Sequence, residues 1–223
     1  MSPSVVKEPF RRRRMVRELE ERGIRHPRVL EAMGAIARAA FVDEALRGKA
    51  YEDAALPIGE AQTISQPWIV ARMSELLDPD GTGRVLEIGT GSGYHAAVLS
   101  RLFEQVYSVE RHLGLSRRAR ERIRDLGIEN VHFKVFDGGY GWSEFAPYRA
   151  IVVTAAAPDV PAPLEEQLED GGRLVIPVAR GGGHSESDDQ VLVRVMRGPR
   201  GVAREEHGPC KFVPLVGKFG WSR

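Results

Sequence analysis

The stretch VLEIGTGSGYHAAVLSRL, residues 85–102, decides how the rest of the chain is read. A short apolar run ends at Gly89, Gly91 and Gly93 alternate with Thr90 and Ser92, and an amphipathic segment begins at Tyr94. That order predicts a buried strand, a tight turn and a helix. Such a turn carries backbone amides close to a ligand at the helix N-terminus. The dinucleotide fingerprint G-x-G-x-x-G is missed, because position 94 is tyrosine and the pattern is G-x-G-x-G behind the acidic Glu87. A P-loop is excluded as well, since no Gly-Lys-Ser/Thr follows.

Downstream of this unit, the strand-like runs QVYSVE, VHFKV, AIVVT and RLVIPV alternate with the helical stretches GLSRRARERIRDL and PAPLEEQLE. Short apolar strands separated by helices predict βαβ units and a mostly parallel sheet covered on both faces, a Rossmann-like α/β fold. QVLVRVM and GVAREEH, joined by Gly-Pro-Arg-Gly, then predict a C-terminal antiparallel hairpin, and KFVPLV reads as part of that terminal strand structure. Upstream, RRRRMVRELEER reads as a helix with Met15, Val16 and Leu19 on one face and the four arginines on a solvated one. Helices are also expected at HPRVLEAMGAI and PWIVARMSELL, with Pro27 and Pro67 in their first turns. The intervening YEDAALPIGEAQTISQP, 51–67, reads as irregular.

The composition suits one domain spanning 1–223: an N-terminal helical segment over 11–80, an α/β core over 84–178 that carries the glycine turn, and C-terminal strands over 179–223. A formal net charge of +1 gives no overall field toward nucleic acid or an anionic membrane. No stretch approaches the roughly 20 apolar residues of a spanning helix, and the N-terminus lacks the apolar core of a secretory signal. A single cysteine, Cys210, suits a reducing compartment, so a cytoplasmic protein is expected. RGGGHSESDD, 180–189, reads as a flexible loop, and its His184, Asp188 and Asp189 are not expected to hold a metal.

Three acids mark the ligand. Glu87 precedes the glycine turn, Glu110 ends the second strand, and Asp137 follows the third. A carboxylate at Glu110 suits two ribose hydroxyls, and one at Asp137 suits an adenine amino group. With the tight glycine turn left for a methionyl tail, the set points to S-adenosylmethionine. The bland readings are a strand-end ion pair for Glu87, a surface pair of Glu110 with Arg111, and a turn-former at Asp137. After the fourth strand, VVTAAAPDVP, 152–161, has neither the proline turn of base-methylating enzymes nor carboxylates for a divalent metal. A site with no evident strong base favours a nucleophile already ionised at neutral pH, and a carboxylate with a pKa of about 4 qualifies.

Several longer stretches are more specific still: RGIRHPRVLEAM, AYEDAALPIGEAQTISQPWIVARM, VLEIGTGSGYHAAVL, DGGYGW, APYRAIVVTAAAPDVPAPLEEQL, GGRLVIPV and KFVPL. Through them the chain resembles the protein-L-isoaspartate O-methyltransferase family from Met15 to about Val216. The resemblance implies methyl transfer from S-adenosylmethionine, leaving S-adenosylhomocysteine, to the free α-carboxylate of isoaspartyl residues in damaged proteins and peptides. The ester then collapses to a succinimide that hydrolyses partly to aspartate. The family is commonly monomeric, so a monomer is expected, and the residues themselves lead to no expected metal, nucleic-acid partner or membrane.

Residue by residue, the resemblance makes Ser65 the active-site serine, bonded to the acceptor carboxylate; from the residues alone, Ser65 reads as helping to start the helix at Pro67. Thr63 and Ile64 are implied to lie across the cofactor. Gly89, Thr90, Gly91 and Gly93 would form the turn under the methionyl part, with Glu87 beside it. Glu110 and Arg111 would meet the ribose, and Asp137 with Gly138 the adenine. Val213, Pro214 and Leu215 are implied to help form the peptide cleft, although a buried edge strand explains them nearly as well. The chain departs from the family at Phe136, where glycine is usual, at Arg149, where aspartate is usual, and at His95, where glutamine is common and which reads as lying on the helix face. Two other functions fit the same motifs: a carboxyl methyltransferase with a dedicated peptide partner, and a non-catalytic nucleoside-binding module.

Overall fold

A computed structural model describes residues 3–180 and 189–222 of the 223, so most of the 180–189 stretch, with His184 and Asp188, lies outside the described residues. The chain begins with two helices, α1 (Pro3–Glu21) and α2 (Pro27–Ala35). Their apolar positions fall at helical spacing, and Met15, Leu19, Val29, Ala32 and Met33 are buried. The arginines of α1 face outward: Arg14 pairs with Glu18 at 2.9 Å, while Arg11 and Arg12 reach the carbonyls of Gly48 and Ala35.

The segment expected to be irregular contains a small antiparallel pair instead, β1 (Leu56–Gly59) and β2 (Gln62–Ile64). Its turn places both Glu60 and Ala61 at φ 53°, the left-handed region usually left to Asn-Gly in such hairpins. Helix α3 (Pro67–Leu76) follows, opened by Pro67 as expected.

Then come β3 (Arg84–Ile88), α4 (Tyr94–Leu99), β4 (Gln105–Glu110), α5 (Leu113–Asp125), β5 (Val131–Val135), β6 (Tyr148–Val153), α6 (Ala162–Glu166), β7 (Leu168–Ala179), β8 (Gln190–Gly198) and β9 (Gly201–Cys210). One seven-stranded sheet runs in the order β5-β4-β3-β6-β7-β8-β9. The first five strands of that order are parallel, and β8 and β9 are the antiparallel additions. KFVPLV does not extend β9. Pro214 bridges Ala156, beside the turn after β6, and this segment is tied there rather than to the sheet edge.

Alternation along each strand builds two cores. Val85, Val106, Val152 and Val175 join the helices α1–α5 on one face, whereas Leu86, Ile88, Val109, Ile151 and Ile176 fill the other. Each such side chain contributes about 1.5–3 kcal/mol on burial. Because β4 and β5 lie on one side of β3 and β6 on the other, the strand order reverses at β3. The crevice that opens there, at the carboxyl ends of the strands, is where open α/β sheets bind ligands. Among the described residues, no helix is long and apolar enough to cross a membrane.

Candidate active site

A cavity occupies that crevice, and seven separate stretches of chain meet in it: Gln62–Ser65, Val70 of α3, Ile88–Ser92 with Tyr94 and His95, Val109–His112, Gly138, Thr154–Ala155 and Val213–Val216. Twelve of the residues singled out from the sequence therefore converge: Thr63, Ile64, Ser65, Gly89, Thr90, Gly91, Glu110, Arg111, Gly138, Val213, Pro214 and Leu215. Glu87, Gly93 and Asp137 do not line it.

The glycine turn is shaped by close approach. Gly89 has φ 97°, and a Cβ there would sit 2.3 Å from the Thr154 hydroxyl. That hydroxyl donates to the Gly89 carbonyl at 2.7 Å, locking the β3 and β6 ends together. Gly91 has φ 53°, and its N–H points at the wall, donating to Glu110 Oε2 at 2.9 Å. Gly93 serves packing, not the cavity: a Cβ there would lie 3.1 Å from the Ala119 Cβ of α5. The third glycine thus lets α4 start close against its neighbour.

Glu87 lies beneath the turn, sealed from solvent. Ser108 donates to its Oε2 at 2.5 Å, and the Ser108 hydroxyl also contacts that of Thr90 at 2.5 Å. Burial, with the negative charge of Glu110 nearby adding to it, pushes the Glu87 carboxyl up to about 8. Glu87 is therefore a largely neutral acid at pH 7, bracing the turn through Ser108 and Thr90. Glu110, by contrast, stands in the cavity wall with each oxygen accepting a backbone N–H at 2.9 Å, from Gly91 and from His112. Each of its oxygens retains a lone pair for a ligand hydroxyl.

Ser65 stands just before α3. The helix N-cap is Gln66, and the amide of Trp68 in the first turn is met by Asp53 Oδ1 at 2.8 Å. No hydrogen bond from Ser65 to that turn is found among the described residues, so its hydroxyl is left for the cavity it lines. Opposite in the chain, Val213–Leu215 is laced to the turn after β6: Ala156 N–H donates to Val213 at 2.8 Å and Leu215 N–H to Ala156 at 2.6 Å.

His95 does not lie on an outer helix face. It is buried and lines the cavity, with Nε2 3.0 Å from the Ser74 hydroxyl, and burial pulls it down to about 3, so the imidazole is neutral. Asp137 accepts N–H groups from Gly139 and Lys218 beside the cavity. The other two departures stay outside: Phe136 is exposed under the Lys134 ammonium, and Arg149 pairs with Asp80 and Glu169. Sequence reading did not single out Thr154, Tyr94, Gln62 or His112 as lining residues. Gln62, Tyr94 and Thr154 fall inside the stretches that carry the resemblance, whereas His112 falls in none.

The residues present fit a nucleoside with an amino-acid tail. Gly89 offers backbone where no side chain fits, and Glu110 offers fixed acceptors beside it. Among the described residues, no cluster of His, Cys, Asp and Glu is arranged to hold a metal.

Comparison with known proteins points the same way. Residues 10–220 match the family described as protein-L-isoaspartate(D-aspartate) O-methyltransferase. Curated relatives of that name include one from Geobacter metallireducens, 52% identical over 95% of this chain and 96% of its own. Another, from Pelobacter propionicus, is 54% identical over 98% of this chain and 96% of its own. A solved protein-L-isoaspartate O-methyltransferase superposes with a TM-score of 0.84 at 32% identity, covering 94% of this chain and 67% of that one. At 24% identity, a Plasmodium falciparum structure, described as a complex of a putative member with S-adenosyl-L-homocysteine, shares the fold with a TM-score of 0.76 over 92% of this chain and 98% of its own.

Proposed function

The chain belongs to the protein-L-isoaspartate(D-aspartate) O-methyltransferase family, and from that premise we propose how its cavity residues divide the work. The protein transfers a methyl group from S-adenosylmethionine to the free carboxylate of isoaspartyl residues in proteins and peptides, which initiates repair through a succinimide. The cofactor, when bound, supplies the methyl group as an electrophile on a sulfonium. Gly89, Thr90 and Gly91 would hold its methionyl part, Glu110 with Arg111 its ribose, and Asp137 with Gly138 its adenine. Glu87 acts from below, as a brace of the turn, and Gly93 by packing.

An acceptor carboxylate is ionised at neutral pH, so there is no proton to remove. The chain's task is orientation and exclusion of water. Ser65 donates its hydroxyl proton to one carboxylate oxygen, leaving the other free to react. Ile64 and Val213–Leu215 form apolar walls that strip water from the nucleophile, and the neutral His95 places no competing cation there. Thr63 completes the entrance. The observation that carries this reading is the convergence of Ser65, the glycine turn, Glu110 and Val213–Leu215 on one cavity.

Methyl transfer from labelled S-adenosylmethionine to an isoaspartyl peptide, with its aspartyl counterpart alongside, tests the substrate class. Transfer to the isoaspartyl form alone is expected; transfer to neither, with cofactor still bound, would redirect the search to another carboxylate. Ser65→Ala should lower kcat/KM for the peptide about 10- to 100-fold, the size of one lost hydrogen bond to a charged group, with S-adenosylhomocysteine affinity unchanged. A weakened cofactor affinity in that variant would assign Ser65 to the wrong partner. The reading also includes a monomer, as the family resemblance implies, and a cytoplasmic location without nucleic-acid partners, supported by the lone Cys210 and the near-zero net charge.

A further inference from the structure

Asp137 is held from two directions. Its Oδ1 accepts the Gly139 N–H at 2.9 Å, which closes the short helical turn Gly138–Tyr140. Its Oδ2 accepts the N–H of Lys218 at 2.8 Å, from the far end of the chain. The Lys218 amide belongs to a compact turn that is tied shut by its own backbone. Gly217 N–H donates to the Trp221 carbonyl at 3.2 Å, Gly220 N–H to Gly217 at 3.2 Å, and Trp221 N–H to Leu215 at 2.8 Å.

This turn fits closely around the carboxylate. A Cβ on Gly217 would lie 2.3 Å from Asp137 Oδ1, and one on Gly220 would lie 2.0 Å from the Leu215 carbonyl oxygen. Phe219 covers Gly139, where an added Cβ would stand 3.1 Å from its own, and its ring meets that of Tyr140 edge-on at 5.2 Å. Leu215, from which the turn hangs, is itself a cavity wall fastened to Ala156. One strap of backbone therefore runs from the acceptor side of the cavity to the acid beside its other end.

We infer that the C-terminal turn Gly217–Trp221 is a positioning element of the cofactor site: the Lys218 N–H fixes the carboxylate of Asp137 that takes the adenine amino group. This rests on the reading of Asp137 as the adenine acceptor. A carboxylate has about four acceptor positions, so two backbone donors leave room for a ligand donor. An aspartate on a loop would otherwise have to be ordered by the ligand, at a cost in affinity. Here folding orders it beforehand. Only the backbone of Lys218 is used, and its side chain is exposed.

Calorimetric titration of S-adenosylhomocysteine into the full chain tests this. Lys218→Pro removes the N–H, whereas Lys218→Ala keeps it. The proline variant should bind about tenfold more weakly and the alanine variant within twofold of the original. Gly217→Ala, which crowds the same carboxylate, should follow the proline variant and serves if that one folds poorly. The penalty should vanish for an analogue of S-adenosylhomocysteine lacking the adenine amino group; an equal loss for that analogue would mean general disruption and overturn the proposal. Unchanged affinity in both Lys218→Pro and Gly217→Ala would overturn it as well. Asp137→Asn separates the premise from the inference. If it leaves affinity unchanged, the adenine reading of Asp137 falls; if it weakens binding while the turn variants do not, only the role of the turn falls.

Discussion

Glu87 and Glu110 stand on adjacent strands, both beside the glycine turn, and the fold treats their carboxyl groups in opposite ways. Glu87 is sealed, meets one hydroxyl, and is raised to about 8 by burial. Glu110 takes a backbone N–H on each oxygen and keeps one edge in the cavity. In sequence they look alike, as acids flanking a nucleotide-type turn. The difference lies in the donors that reach them. Backbone amides of Gly91 and His112 fix both oxygens of Glu110 at the cavity wall. Glu87, one register position from the strand end, faces the interior and supports the turn from below.

The contrast can be broken most sharply at Glu110. Glu110→Gln turns an NH2 toward one of the two backbone donors, and S-adenosylhomocysteine affinity should fall about 10- to 100-fold, in line with losing hydrogen bonds to a charged acceptor. An unchanged dissociation constant would leave no functional distinction between the two acids. Glu87→Gln should instead keep affinity within about twofold and alter the pH dependence of stability. With its folded pKa raised above the unfolded 4.5, Glu87 contributes stability that is fully present below pH 4.5 and lost as pH climbs through about 8. Urea midpoints at pH 5 and 8.5 should show the original losing on the order of 1–3 kcal/mol more than the glutamine variant across that interval. A parallel pair of pH curves would place the proton elsewhere.

His95 sharpens the picture from the acid side, with the smallest effect. Its folded pKa of about 3 lies below the unfolded 6.5, so its contribution is present above pH 6.5 and lost as pH falls. His95→Gln should recover about 1–2 kcal/mol at pH 5 and nothing at pH 7.5, read again from urea midpoints. Equal acid sensitivity in both proteins would show that the imidazole takes up its proton within the fold.

The parallel core was legible because each of its parts has a local mark: alternating apolar strands, helices at 3.6-residue spacing, and glycines where no side chain fits. The β1–β2 hairpin was hidden, since Glu60 and Ala61 adopt left-handed backbone that their side chains do not advertise. The path of KFVPLV was hidden for a related reason. Apart from the Gln190 side chain at Phe212, its partners are backbone groups of Ala156 and Trp221, and backbone donors and acceptors are the same in every sequence. Ser65 shows the converse case. A serine beside a helix start reads as a cap until Asp53, distant in sequence, is seen to meet the amide of Trp68. The glycines, too, divide only in three dimensions, Gly89 and Gly91 at the cavity and Gly93 against Ala119.

The cavity draws its walls from Gln62 through Val216. During synthesis, therefore, the glycine turn and the serine leave the ribosome long before the segment that closes the other side. No shorter nascent chain owns a finished site, and a break anywhere between those walls, by a premature stop or by a protease acting on a loosened molecule, separates parts that must meet. Methyl transfer then reports completed, intact molecules, and a repair protein so assembled falls silent when it is itself broken.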